Sequence, residues 1–220
     1  CSLASAHCWV FSPTGWDGLL MLDTPGALWT RDVLEATRTK KAPDLVRIVV
    51  AVDPGASTNE GSNTGIIANG LDANRHGYVL ADATCKEKPA LWGEKVVRLH
   101  DSLNADCVVA EVNQGGDMVG HVVKSAAQSL FAKGERKTPE IAFKAVRASR
   151  GKYTRAEPIS ALYDQKRVHH VGLFAELEDE LCTWVPGEDS PDRLDANVWG
   201  LTELMLGTPG EAEVIENPFW

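Results

Sequence analysis

At 220 residues, 44% hydrophobic and 24% charged, the chain has the make-up of one well-cored globular domain rather than of a disordered segment. A net charge of −9 excludes a uniformly basic nucleic-acid binder, and no apolar run approaches the length of a membrane span. Cys1, Cys8, Cys85, Cys107 and Cys182 are odd in number and include no CxxC pair, which argues against a zinc ribbon and fits a reducing cytosol.

The first residue is Cys rather than Met, as expected of a fragment or a processed product, and the opening lacks the layout of a signal peptide. Residues 1–25 show no clean period and read as an irregular lead-in or the remnant of a linker. Residues 26–207 read as the folded domain, and 208–220, with Pro209, Gly210 and Pro218, as a loose tail. Ala27 to Arg38 is a short helix by pattern, with Thr30 or Asp32 near its start.

Arg47 to Gly55 (RIVVAVDPG) organises the rest. Ile48, Val49, Val50 and Val52 form a run of strand length that is apolar on both faces, as a central strand is. It stops at Asp53, before Pro54 and Gly55. Ala56 to Asn63 is a polar loop. Thr64 to Leu71 and Gly77 to Thr84 follow as strands around a turn at Asp72 to His76, which together suggest an antiparallel meander.

The period then changes. Pro89 to Leu103 carries a helical stripe at Leu91, Trp92, Val96, Leu99 and Leu103. Cys107 to Val112 (CVVAEV) is a second buried strand with Glu111 near its end. Gly115 to Phe131 is helical, Ile141 to Val146 a strand, and Thr154 to Arg167 a helix that Pro158 should confine to a start near itself. Phe174 to Trp184 and Leu194 to Leu206 complete the series. This is a mixed α/β layout, a meander followed by crossovers. His169 and His170 read as structural, Trp199 and Met205 as core, and Asn113 to Asp117 as shaping a turn.

Carboxylates stand at the ends of core elements. Asp53 closes one strand, and Glu111 sits in an otherwise apolar one. Asp192 and Asp195, three residues apart, share a face at the start of the closing helix. Gathered together they would repel one another unless divalent cations lay between them, which is the make-up of a two-metal site for phosphoryl transfer. Pairing of Glu111 with a buried Arg and helix capping by Asp192 or Asp195 remain alternatives. A second charge pattern is basic: Lys133, Arg136, Lys137, Lys144, Arg147, Arg150, Lys152 and Arg155 lie in one stretch with only Glu135 and Glu140. Such a stretch can meet phosphates on an acidic protein.

The pieces GALWTRDVLEATR, RIVVAVDPGAS, VVAEVNQGGDMV, GKYTRAEPISALYDQKRVHHVGLFAELEDELCTW and SPDRLDANVWGL, in this order and spacing, resemble the nuclease domain of the phage or gene-transfer-agent terminase large subunit. The resemblance implies a ribonuclease H-like fold, with a mixed sheet of five strands or slightly more flanked by helices. It implies Asp53, Glu111 and Asp195 as catalytic metal ligands, with Asp192 as an auxiliary one because Asp192 to Ala196 is spelled as in resolvases. Mg²⁺ or Mn²⁺ would be the cofactor, as two ions when double-stranded DNA is bound. Arg147, Lys152 and Arg155 would contact DNA phosphates, which fixes register without reading bases. In a full-length protein of this kind the partners would be an N-terminal packaging ATPase, the portal and a small terminase. The setting would be the bacterial host cytoplasm, with no membrane, and the fragment itself would be a monomer. No GxxxxGK[ST] loop is present, so ATP hydrolysis by that route is not expected. A Holliday-junction-resolvase-like nuclease and a catalytically silent DNA- or portal-binding module of the same fold are the rival readings.

Overall fold

In this computed structural model the described residues are 23–54, 63–112, 118–147 and 152–207. Most of the expected lead-in, the polar loop after Asp53, the turn at 113–117, Arg150 and the tail fall outside them.

In chain order the elements are α1 (Arg31–Thr37), β1 (Leu45–Pro54), β2 (Thr64–Asp72), β3 (Gly77–Asp82), α2 (Pro89–Leu103), β4 (Cys107–Glu111), α3 (Met118–Ala132), β5 (Phe143–Val146), α4 (Lys152–Asp164), β6 (Val168–His170), α5 (Ala175–Thr183) and α6 (Asp192–Leu201). A π-helical turn, Thr202–Leu206, continues α6. The six strands form one mixed sheet in the order β5-β4-β1-β2-β3-β6. β1, β2 and β3 are the antiparallel meander, while β4 joins β1 and β5 joins β4 in parallel. β6 pairs in parallel with β3. It is the strand the pattern misses, because three residues are too few to show a period.

Alternation along the strands divides the core in two. Val50, Val52, Ile66, Ala68, Val108 and Ala110 face α2 and α3. Val49, Ile67 and Val109 face the other way, into a larger cluster with Leu194, Val198 and Leu201 of α6, Ile159 and Tyr163 of α4, and Leu177 and Leu181 of α5. Every residue of α6 from Leu194 to Leu201 is buried. A helix covered on all sides needs apolar or fully bonded side chains all round.

α4 starts earlier than Pro158 allows in the sequence reading, since it runs from Lys152 with Pro158 inside it. Proline there removes the hydrogen bond to the Thr154 carbonyl. Thr154 and Pro158 are both exposed, so water can serve the freed oxygen while Ala156 and Ile159 anchor the opposite face in the core.

Polar side chains cross the larger cluster as one chain. Arg38 donates to both Glu178 oxygens, at 2.7 and 2.9 Å. His170, fully buried, bonds Glu178 through Nδ1 at 2.8 Å and Tyr163 Oη through Nε2 at 3.0 Å. Asn197 Nδ2 donates to Tyr163 Oη at 3.1 Å, and Asn69 Nδ2 donates to Asn197 Oδ1 at 2.9 Å. A neutral imidazole with its proton on Nδ1 satisfies every link. His170 is therefore structural, and His169 stacks on His76 and Tyr78 at the sheet edge.

This chain makes stability acid-sensitive. Burial holds the His170 imidazole below its ordinary 6.5. Burial also opposes charge on Glu178, but the hydrogen bonds from His170 and Arg38 outweigh it and bring that carboxyl down from 4.5 to about 2. Both groups have depressed folded-state values, so their contribution is complete above the unfolded values and is lost on acidification. Urea unfolding should show stability declining as pH falls below 6.5, and more steeply from 4.5 towards 2. In Glu178→Gln the lower segment should flatten. An unchanged pH profile in that variant would remove Glu178 from the acid response.

Candidate metal centre

Strand alternation, more than any loop, places the carboxylates. Val49 and Ala51 of β1 point to the α6 side, so Asp53, two residues on, points there too. Val109 of β4 faces the same cluster, and Glu111 inherits its side. Val52 stands opposite Ala110 in the parallel β1–β4 pair, so the next residues, Asp53 and Glu111, end two neighbouring strands on one face. α6 lies across that face and brings Asp195 in its first turn.

Two glycines permit the close approach. A Cβ on Gly65, which pairs with Asp53 across β1–β2, would lie 2.1 Å from the Asp192 carbonyl oxygen. A Cβ on Gly200 would lie 2.0 Å from Asn69 Oδ1. The start of α6 is also held by Arg193, which binds Asp82 and Glu180, each at 3.0 Å, and Glu176. Pro191 is the N-cap and makes no side-chain cap bond; Glu180 Oε2 of α5 instead accepts from the Leu194 N–H in the first turn, at 3.2 Å.

Glu111 and Asp195 meet across a single guanidinium. Arg155, from the start of α4, lies 3.7 Å from Glu111 Oε1 and 3.9 Å from Asp195 Oδ1. The three side chains are 9%, 9% and 6% exposed. The second oxygen of each carboxylate is taken by a donor: Trp199 Nε1–H bonds Glu111 Oε2 at 2.8 Å, and Ser190 Oγ–H bonds Asp195 Oδ2. The Arg155 guanidinium stacks on Trp199, 4.4 Å from the ring centroid.

The resemblance assigns Arg155 to DNA phosphates; in this structure it is turned inward and lies beside Glu111 and Asp195 as their counter-charge. Arg147 is exposed just beyond β5. Lys152 opens α4, and its side chain lies outside what is described. Asp53 and Asp192 are half-buried. Among the described residues no three His, Cys, Asp or Glu side chains already form a metal shell.

The donor set nevertheless suits a hard cation. It consists of carboxylate oxygens only, and two of them already share one positive charge in a nearly dry setting. Trp199 and Ser190 are the members that sequence reasoning missed. Trp199 follows Asp195 by four residues and so lies on the same helical face, a signal masked because an apolar helix makes any Trp look like core.

The family model described as the terminase RNaseH-like domain matches residues 50–204. Among solved structures, the chain is similar to the nuclease domain of the large terminase subunit gp2 of bacterial virus Sf6, with 13% identity and a TM-score of 0.52, over 80% of this chain and 98% of that one. A mutant of the same Sf6 domain with manganese and beta-thujaplicinol gives 13% identity and a TM-score of 0.53 over the same shares. The large terminase nuclease of a thermophilic phage with bound zinc gives 15% identity and a TM-score of 0.46, over 79% and 99%. No protein of curated function matches.

Gly65→Ala tests the seating of α6. The added methyl meets backbone, which cannot rotate away, so a loss of about 1–3 kcal/mol is expected in urea denaturation, as for overpacking elsewhere. Wild-type stability in this variant would show that α6 does not rest on β2 at that point.

Proposed function

We propose that this chain, which belongs to the terminase RNaseH-like domain family, is a metal-dependent endonuclease that cuts double-stranded DNA during genome packaging. The observation that carries the reading is the meeting of Glu111 and Asp195, nearly buried, around one cationic group at the strand ends. Burying two carboxylates costs stability unless a positive charge is supplied, and two such acids held side by side at strand ends are an arrangement that functional sites favour.

Asp53, Glu111 and Asp195, with Asp192 beside them, would hold Mg²⁺ or Mn²⁺, as a pair when DNA is bound. The ions would supply the Lewis acidity that phosphodiester hydrolysis requires. The chain's own groups prepare the site. Trp199 fixes one oxygen of Glu111 and Ser190 one oxygen of Asp195, so each carboxylate presents its other oxygen in a set direction. The sheet holds Asp53 and Glu111 rigidly, as positioning of reacting groups demands. The expected products are a 3′-hydroxyl and a 5′-phosphate. Arg147, exposed beside this end of the sheet, would contact backbone phosphates without selecting sequence, with Lys152 assigned the same role. On this reading the working partners are a packaging ATPase N-terminal to the domain, the portal and a small terminase, within the bacterial host cytoplasm.

A supercoiled-plasmid assay with Mg²⁺ or Mn²⁺ tests the proposal. Asp53→Asn and Glu111→Gln should each slow nicking by about two orders of magnitude or more, as removal of a charge-stabilising group does, with the fold retained by circular dichroism. Wild-type rates in both variants would remove these carboxylates from the reaction. Arg147→Glu should weaken duplex binding at every sequence tested and lower the salt slope by about one. A slope equal to the wild type would take Arg147 out of the DNA surface.

A further inference from the structure

Arg155 is poorly satisfied for a buried guanidinium. Its Nε is buried without a hydrogen-bond partner. Its two carboxylate neighbours stand at 3.7 and 3.9 Å, beyond hydrogen-bond length, although both are close enough in charge to hold it. A buried donor left unbonded costs on the order of 1–3 kcal/mol, so this cation rests in a place that does not fit it well. The face of Trp199 supports it on one side. The pocket of oxygens around it is better suited to a smaller and more highly charged ion.

We infer that Arg155 is a tethered counter-cation that occupies the gap between Glu111 and Asp195 and must leave it before a divalent ion can bind there. The inference rests on the metal-dependent reading above and adds a regulation of the same site. Arg155 keeps two nearly buried acids from repelling each other whenever no divalent ion is bound, and it competes with the metal for the same two oxygens. A phosphate oxygen is a better partner for a guanidinium than two carboxylates out of hydrogen-bond reach. Arrival of the DNA backbone therefore draws Arg155 out and frees the gap. Metal uptake is in this way made conditional on substrate, which restrains cutting when DNA is not seated.

The test is Mn²⁺ uptake, read from the loss of the free-ion electron paramagnetic resonance signal, in the DNA-free protein. Arg155→Gln should bind Mn²⁺ tighter than the wild type by on the order of tenfold or more, because a full positive charge a few ångströms away is gone. Adding Glu111→Gln should abolish the gain. Equal or weaker Mn²⁺ binding in Arg155→Gln overturns the inference while leaving the metal-dependent reading intact. Failure of both proteins to take up Mn²⁺ even with duplex DNA present overturns that reading, and the inference falls with it. Should Arg155→Gln not fold, the unmutated protein supplies a second measurement. The Arg155 Nε–H resonance, assigned by its absence from the Arg155→Lys spectrum, should shift when Mg²⁺ saturates the protein, and an unmoved resonance at saturation overturns the inference.

Discussion

Burial of α6 on one face of the sheet is the constraint on which the rest depends. Its buried residues run without a break from Leu194 to Leu201, and it lies closest to the sheet at Gly65 of β2 and Ala51 of β1. Gly65 and Gly200 are the contact points at which any side chain would collide with the facing element. Because strands alternate with a period of two, choosing the face that α6 covers also chooses which side Asp53 and Glu111 occupy. A register slip of one residue in either strand would turn its carboxylate towards α2 and α3. The geometry of the site is thus a by-product of how the apolar core is packed, and it is as rigid as that core.

Covering a helix completely raises a second problem, since its polar residues have no water. The chain from Arg38 through Glu178, His170, Tyr163 and Asn197 to Asn69 solves it, with each donor meeting an acceptor in turn. Asn197 lies two residues beyond Asp195, so the bonds that satisfy Asn197 also fix the rotation of α6 about its axis. A half-satisfied network would be worse than an apolar one. The loose end of this chain is Asn69 Oδ1, buried without a partner where Gly200 packs against it. The same helix therefore carries two kinds of polar contact, one sealed and internal at Asn197 and one at the strand ends at Asp195.

How much of this was legible in the sequence depends on whether the signal is local. Asp53 and Glu111 stood out because a charge at the end of a β-branched run is costly unless something in the fold uses it. α2 was legible to its ends because its stripe is regular. The three residues of β6 were too few to show a pattern. The Pro158 rule failed for α4 because the helix face bearing proline is solvated, which a propensity argument cannot see. Trp199 and Ser190 were missed for opposite reasons. One is apolar enough to pass for core and the other polar enough to pass for loop; Trp199 gains its role from Glu111 across the fold and Ser190 from Asp195 in the first turn of α6.

The basic stretch shows the same limit most clearly. By sequence alone, Lys133 to Arg155 is a run of cations available to phosphate. In the folded chain Lys133 is bound to Glu94 at 2.7 Å, Arg136 to Asp101 at 2.8 Å and Lys144 to Glu203 at 3.0 Å. Arg155 has turned inward to Glu111 and Asp195. Acids from α2, β4, α6 and the π-helical turn thus pair with four of the eight cations in that stretch, as a net charge of −9 makes natural. Among the described residues, Arg147 is an exposed guanidinium next to the strand ends. Which cations of the stretch face outward is therefore set by the acids that the fold brings beside them, not by their order in the sequence.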